Sequence, residues 1–243
     1  MRDYQAEFDR RVAFIRRLLE SSRAGGIVYG NSGGKDCTLV GILCKAACGN
    51  TVGVILPCAS KRNYESDTDD ALAVARQFGI ETRTVDLTAV RAALLEQLAQ
   101  VTEMTDASTA NIAPCLRMTA LYAIAASENR LVAGTGNRSE AYMGYFTKWG
   151  DGAYDFNPIA DLTATEVIEF LKFLNAPKSI TEKAPSAGLY EGQTDEKEMG
   201  ISYASIDAWL LHGTATQGDL AVIERYHTGS EHKRRLAPAY QQI

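Results

Sequence analysis

The chain has 243 residues, a formal charge of −5 and a pI near 5.3, a length that suits one large α/β domain with a sizeable core. The acidic balance argues against a general nucleic-acid or membrane surface, and no uncharged apolar run approaches the roughly 20 residues of a membrane span. Five cysteines (Cys37, Cys44, Cys48, Cys58, Cys115) form no Cys-x-x-Cys pair, so reduced thiols in a cytoplasmic protein are expected, with neither a disulfide frame nor a zinc site.

The charged start, Met1-Arg2-Asp3, is read as carrying no secretory signal. Tyr4, Phe8, Val12, Ile15 and Leu19 recur at spacings of three and four, which predicts an amphipathic helix over residues 3–22. Gly25-Gly26 leads into an apolar run ending at Gly30, then a Ser-Gly-Gly loop and a helical stretch from Cys37 to Cys48. Thr51 to Leu56 reads as a second strand stopped by Pro57, and residues 66–78 as a helix with Ala71, Leu72, Ala75 and Phe78 as its stripe. A third strand over 81–87 and a helix over 88–101 repeat the alternation. Residues 102–110 are polar and are expected to be mobile. Pro114 suits the first turn of a helix running to Asn129, and Leu131 to Gly134 is a fourth strand. Strand and helix alternating four times predicts a doubly wound parallel sheet with helices on both faces, in a single domain. Beyond Ser139 come an aperiodic segment (144–160), a capping box at Thr163-x-x-Glu166 opening a helix to Leu174, a polar loop over 184–200, two short helices near 203–212 and 219–227, and a basic tail at 232–235.

The loop Gly30-Asn31-Ser32-Gly33-Gly34-Lys35-Asp36-Cys37 carries the first chemical signal. Adjacent glycines turn backbone N–H groups inward without a side-chain clash, and the helix that follows adds positive potential, so the loop suits a phosphate chain. It is not the common P-loop, because position 29 is tyrosine and Lys35 is followed by Asp36. An acid so close to a phosphate cradle implies a cation between them, and Mg²⁺ is the expected one. In a parallel sheet this loop and Thr135-Gly136-Asn137 share the carboxyl rim where ligands bind.

Several blocks now coincide in order: Ser32-Gly33-Gly34-Lys35-Asp36, Gly134-Thr135-Gly136-Asn137-Arg138-Ser139-Glu140, Gly144-Tyr145-Phe146-Thr147-Lys148, Lys183-Ala184-Pro185-Ser186-Ala187-Gly188-Leu189 and Ser230-Glu231-His232-Lys233-Arg234. Together they resemble the ammonia-dependent NAD synthetases of the PP-loop ATP pyrophosphatase superfamily, whose fold is of the adenine nucleotide alpha hydrolase type. The resemblance implies amidation of deamido-NAD to NAD. ATP adenylates the nicotinate carboxylate with release of pyrophosphate, and ammonia then displaces AMP. It further implies ATP contacts from the Ser32 loop, Thr135 and Ser186, with Mg²⁺ held by Asp36 and Glu140. Deamido-NAD contacts are implied for Lys148, Asp155, His232 and Lys233. Asp155 is also the candidate for binding and deprotonating ammonium. A homodimer with the dinucleotide at the subunit interface is implied, and no glutaminase domain fits within the chain.

Three positions depart from the family pattern. Cys37 replaces a serine, Cys115 replaces an arginine that contacts deamido-NAD, and Ala164 replaces a lysine that contacts ATP. Arg117, the second arginine of the stretch, should lie roughly 200° round the helix from Cys115. Lys35, at a variable position, is expected to restore part of the missing charge on the ATP phosphates. Cys115 and Ala164 leave two alternatives open: a nucleotide-binding paralogue with weak or no synthetase activity, and a ligase adenylating another carboxylate.

Overall fold

The computed structural model describes residues 2–58, 66–182 and 194–240. Strands β1 (Gly26–Gly30), β2 (Thr51–Ile55), β3 (Glu81–Thr84) and β4 (Arg130–Ala133) form one parallel sheet in the order β3-β2-β1-β4. Register pairs Ile27 with Thr51 on one side of β1 and with Leu131 on the other. Chain order therefore reverses across β1, and the switch point opens between β1 and β4. A single parallel bridge from Ala133 to Phe156 extends this edge.

Alternating residues of β1 face opposite layers, as the two-residue strand period requires. Ile27 and Tyr29 pack into a cluster with Leu39, Leu43, Val74 and Phe170, which belong to helices α2 (Lys35–Ala47), α3 (Ser66–Phe78) and α7 (Ala164–Phe173). Ile15 of α1 (Tyr4–Ser22) joins the same layer. Val28, Val52, Val54 and Val132 face Met118, Leu121 and Ala125 of α5 (Asp106–Glu128), which lies beside α4 (Thr88–Leu98). A third cluster joins Met143 of α6 (Arg138–Met143) to Met199 of α9 (Asp195–Met199), Ile206 of α10 (Tyr203–His212) and Ile223 of α11 (Gln217–Gly229), with α8 (Lys178–Thr181) lying between in the chain. The doubly wound parallel sheet expected from the sequence is present.

Tyr29 shows why the first loop departs from a P-loop. Its ring is fully buried and fills the space left by Gly41 and Gly53, where a Cβ would collide with it. A glycine at position 29 would leave a void in this layer.

Three local expectations change. Helix α5 starts at Asp106, with the Thr105 hydroxyl accepting from Ser108 N, so Pro114 sits inside the helix and most of 102–110 is helical. The cap chemistry at Thr105 overrode the proline signal. Residues 195–199 of the supposed polar loop form α9. The basic run at 232–235 is not simply a solvated tail. Glu231–Lys233 forms a 3₁₀ turn, and Arg234 donates to the carbonyls of Tyr142 and Ala141.

Candidate active site

A cavity of about 740 Å³ opens at the carboxyl ends of β1, β2 and β4. Its walls include Gly30, Asn31, Ser32, Gly34, Lys35, Asp36 and Cys37 from the first loop, and Thr135 and Glu140 from the loop after β4. The lining also includes Arg117, Asp151, Arg225 and Lys233.

The glycine loop is held from beneath. Asn31 Oδ1 accepts from Gly33 N at 3.3 Å, and Asn31 Nδ2 donates to Ala71 O at 3.3 Å, tying the loop to α3. Gly33 has φ of +71°, and a Cβ there would overlap the Asp67 carbonyl oxygen. Glycine is required on both counts, and Gly33 backs onto α3 instead of lining the cavity. The Cys37 thiol donates to Gly34 O at 3.2 Å, with Ser32 Oγ 3.3 Å from its sulfur. Burial raises the thiol's pKa, which keeps it neutral beneath the loop.

Asp36 and Glu140 are brought together by Asn137, the buried N-cap of α6. Its Nδ2 donates to Asp36 Oδ1 at 3.0 Å, its N donates to Glu140 Oε2 at 3.0 Å, and its Oδ1 accepts from Glu140 N at 3.0 Å. Glu140 is thus both the N3 acid of a capping box and a cavity carboxylate. Desolvation raises its pKa, and nearby Asp36 adds to the shift. Lys35 donates to Asp36 Oδ2 at 2.6 Å and lies 5.4 Å over the Tyr203 ring. Burial disfavours its charge, but Asp36 and Glu140 outweigh that and hold the ammonium above its ordinary range. Its charge points toward the carboxylates.

Two carboxylates are a donor set that fits Mg²⁺, which commonly takes one or two and completes its shell with phosphate oxygens and water. No cluster of three acidic, histidine or cysteine ligands exists among the described residues, so phosphates and water would supply the rest.

Lys233 reaches the same rim by another route. Its Nζ donates to Gly144 O at 2.8 Å and Phe146 O at 2.7 Å, bracing the turn after α6. Burial lowers its pKa. Lys148, Asp155 and His232 do not line the cavity. Lys148 Nζ stands 5.2 Å over the exposed Trp149 ring, and His232 is exposed. Asp155 Oδ2 accepts from Val132 N at 2.7 Å, and Tyr122 donates to its Oδ1 at 3.3 Å, on the outer side of β4. Ser186 lies outside the described residues.

The departures also resolve. Cys115 and Arg117 do occupy different faces of α5, but the arginine is the one that lines the cavity, donating from Nε to Leu56 O at 3.0 Å. Ala164 is buried beside Met143 and Tyr203, without access to the cavity. Asn137 and Asp151 were missed by sequence reasoning. Asn137 had a signal, since Asn-x-x-Glu after a strand is a capping box. Asp151 lies four residues before Asp155, and only tertiary structure tells which carboxylate reaches the cavity. Asp151 lines the cavity and accepts from Thr147 N at 2.9 Å, and desolvation by the surrounding protein raises its pKa.

A parallel sheet with a glycine loop and a paired-acid rim at its switch point defines a nucleotide-binding α/β protein. Residues 7–241 match the NAD synthase family, and the chain belongs to it. It is 42% identical over 237 residues to the NH(3)-dependent NAD(+) synthetase of Carboxydothermus hydrogenoformans, covering 96% of each chain. Among solved structures it is similar to the NMN synthetase of Francisella tularensis, with a TM-score of 0.94, 37% identity and full coverage of both chains. It is also similar to the NH3-dependent NAD synthetase of Campylobacter jejuni, with a TM-score of 0.80 and 28% identity over 99% of this chain and 100% of that one.

Proposed function

We propose that the protein forms NAD from deamido-NAD, ATP and ammonia through an adenylated nicotinate carboxylate. The observation that carries this reading is one cavity walled by both the glycine loop and the Asp36–Glu140 pair, in a chain of the NAD synthase family. Neither departure that raised the paralogue alternative touches the cavity, and that alternative is not favoured.

The attack of a carboxylate on the α-phosphorus joins two anions, so neutralisation and alignment carry the catalysis. Ser32, Gly34 and Lys35 would hold the departing pyrophosphate on a loop whose bend Gly33 sets, with Thr135 and Ser186 as further ATP contacts. Asp36 and Glu140 would hold Mg²⁺, which when bound neutralises charge on the phosphates. Arg117, held by Leu56 O at the end of β2, adds a cation to the cavity lining. Ammonium is the dominant form at neutral pH, and a carboxylate near the adenylate would bind it and take its proton. Asp151 suits that role better than Asp155, because it lines the cavity and its raised pKa makes it a better base.

Lys148, Asp155, His232 and Lys233 are taken as acceptor contacts. The first three lie outside the cavity of a single chain, which supports a homodimer with the acceptor spanning the interface; light scattering on the purified protein tests the dimer. Free cysteines, together with the absence of any described helix long and apolar enough to cross a membrane, support a cytoplasmic setting.

A second reading keeps the chemistry and shortens the acceptor to a mononucleotide, giving NMN. The TM-score of 0.94 over the whole chain to an NMN synthetase favours it. Incubation with ATP, Mg²⁺ and ammonium, using deamido-NAD and nicotinic acid mononucleotide in parallel, decides. AMP and NAD with the dinucleotide are expected. Turnover of the mononucleotide alone would select the second reading, and AMP with neither amide product would overturn both.

A further inference from the structure

Lys35 is placed where a metal reading leaves little room for a second cation. It is the first residue of α2, and its ammonium is bonded to Asp36 at 2.6 Å, with only 7% of its side chain exposed. The other oxygen of Asp36 is taken by Asn137 Nδ2 at 3.0 Å. Tyr203 closes the far side: its ring lies under the ammonium, and its hydroxyl donates to Asp195 Oδ2 at 3.1 Å, with Asp195 itself 4% exposed. Asp36 is thus the direct partner of this fixed positive charge, and the negative charges of Glu140 and Asp195 add to the field that favours it.

We propose that Lys35 is a tethered counter-cation that excludes divalent metal from Asp36 until nucleotide arrives, so that metal binding depends on ATP. The inference rests on the assignment of Asp36 and Glu140 as metal ligands. A dication and an ammonium on one carboxylate repel each other at close range, and in a partly desolvated site that repulsion is weakly screened. A triphosphate changes the balance by adding several negative charges beside Ser32 and Gly34. The four-carbon lysine stem is long and flexible enough to redirect its charge from Asp36 to the adjacent phosphates. Lys35 then serves as a positioning residue with two partners, a carboxylate before ATP binds and the phosphates afterwards. The exchange would keep the acid cluster neutralised in the free protein.

Mn²⁺ binding to the full-length protein, followed by electron paramagnetic resonance, tests this without any reading of activity. Wild type and Lys35→Arg should bind Mn²⁺ weakly without nucleotide, and should hold it tightly as protein-bound metal, beyond the Mn²⁺–ATP of a protein-free control, once ATP is added without acceptor. Lys35→Met and Lys35→Gln should bind Mn²⁺ at least tenfold more tightly than wild type in the absence of ATP, with circular dichroism checking each fold. Equal nucleotide-free affinity in wild type and the neutral variants would overturn the proposal. So would a wild-type protein that already binds Mn²⁺ as tightly without ATP as with it, an outcome needing no variant at all. Glu140→Gln separates the underlying assumption: if it leaves Mn²⁺ binding in the ATP complex unchanged, the metal assignment fails too. If Glu140→Gln weakens that binding while the neutral Lys35 variants match wild type, only the role of Lys35 is lost.

Discussion

Asn137 donates to Asp36 across 3.0 Å, joining the cap of one helix to the first turn of another over a separation of 101 residues in the chain. The same buried side chain caps Glu140 N, so one residue sets the spacing of both cavity acids. Asn137→Ala should therefore lower stability by about 1–3 kcal/mol, from the lost cap and an unpaired carboxylate hydrogen bond. Serine is as good a cap but too short to reach Asp36. Asn137→Ser should recover most of that stability while kcat stays at least tenfold down, as read by thermal melts and steady-state AMP release. Recovery of kcat together with stability would show that only the cap matters.

Glu140 serves two purposes that a single substitution can separate. Glutamine keeps the capping box, because its side-chain oxygen still accepts from Asn137 N, but it removes the charge. Glu140→Gln should melt within a few degrees of wild type yet release AMP about 100-fold more slowly, in the range seen when one transition-state electrostatic contact is lost. AMP and pyrophosphate assays at saturating Mg²⁺ check it.

Much of the fold was legible because strand and helix periods do not depend on distant contacts. The apolar runs at Ile27 to Tyr29 and Val52 to Ile55 are buried from both sides, and a central parallel strand has no other option. The site was legible only where chemistry is local. Gly33, Gly34 and Asp36 announce themselves within one loop. The roles of Asp151 and Arg117 come from tertiary approach, since nothing in their own neighbourhoods separates them from Asp155 and Cys115. Pro114 misled for a related reason: it carries a start signal, but Thr105 had already capped the helix.

Gly33 tests the loop's backbone. Alanine there would meet both a left-handed φ and the Asp67 carbonyl, so strain and overlap act together. Gly33→Ala should lose about 1–3 kcal/mol of stability and weaken ATP binding at least tenfold, measured by urea unfolding and calorimetry. Gly79→Ala is the contrast, since its φ is also positive but nothing lies within reach of a Cβ. It should strain its turn modestly and leave ATP affinity alone.

Lys233 holds the turn that starts at Gly144, which has φ of +65° and packs against Ser230. Replacing the lysine leaves the Gly144 and Phe146 carbonyls without that donor. Lys233→Met should cost about 1.5–3 kcal/mol, the range for a hydrogen bond to a charged group, and raise KM for the acceptor more than it lowers kcat. Equal falls in kcat and kcat/KM would instead indicate a contact made only in the transition state.

Asp151 predicts a pH dependence whose sign follows from its raised pKa. The surrounding protein disfavours its charge, so over a window above the ordinary carboxylate range the folded state binds more protons than the unfolded one. Its contribution to stability must then fall as pH rises through that window, the reverse of a salt-bridged carboxylate. The amide of an Asp151→Asn variant is neutral at every pH, and its oxygen would still accept from Thr147 N. Urea unfolding of Asp151→Asn across pH 4 to 8 should accordingly decline less with pH than wild type. If the carboxylate also takes the ammonium proton, the variant's KM for total ammonium should rise most near pH 7. The gap should close toward pH 9 and above, where free ammonia supplies the nucleophile without a base. A KM ratio that stays constant with pH would remove Asp151 from proton transfer and leave it the structural role of holding the Thr147 turn.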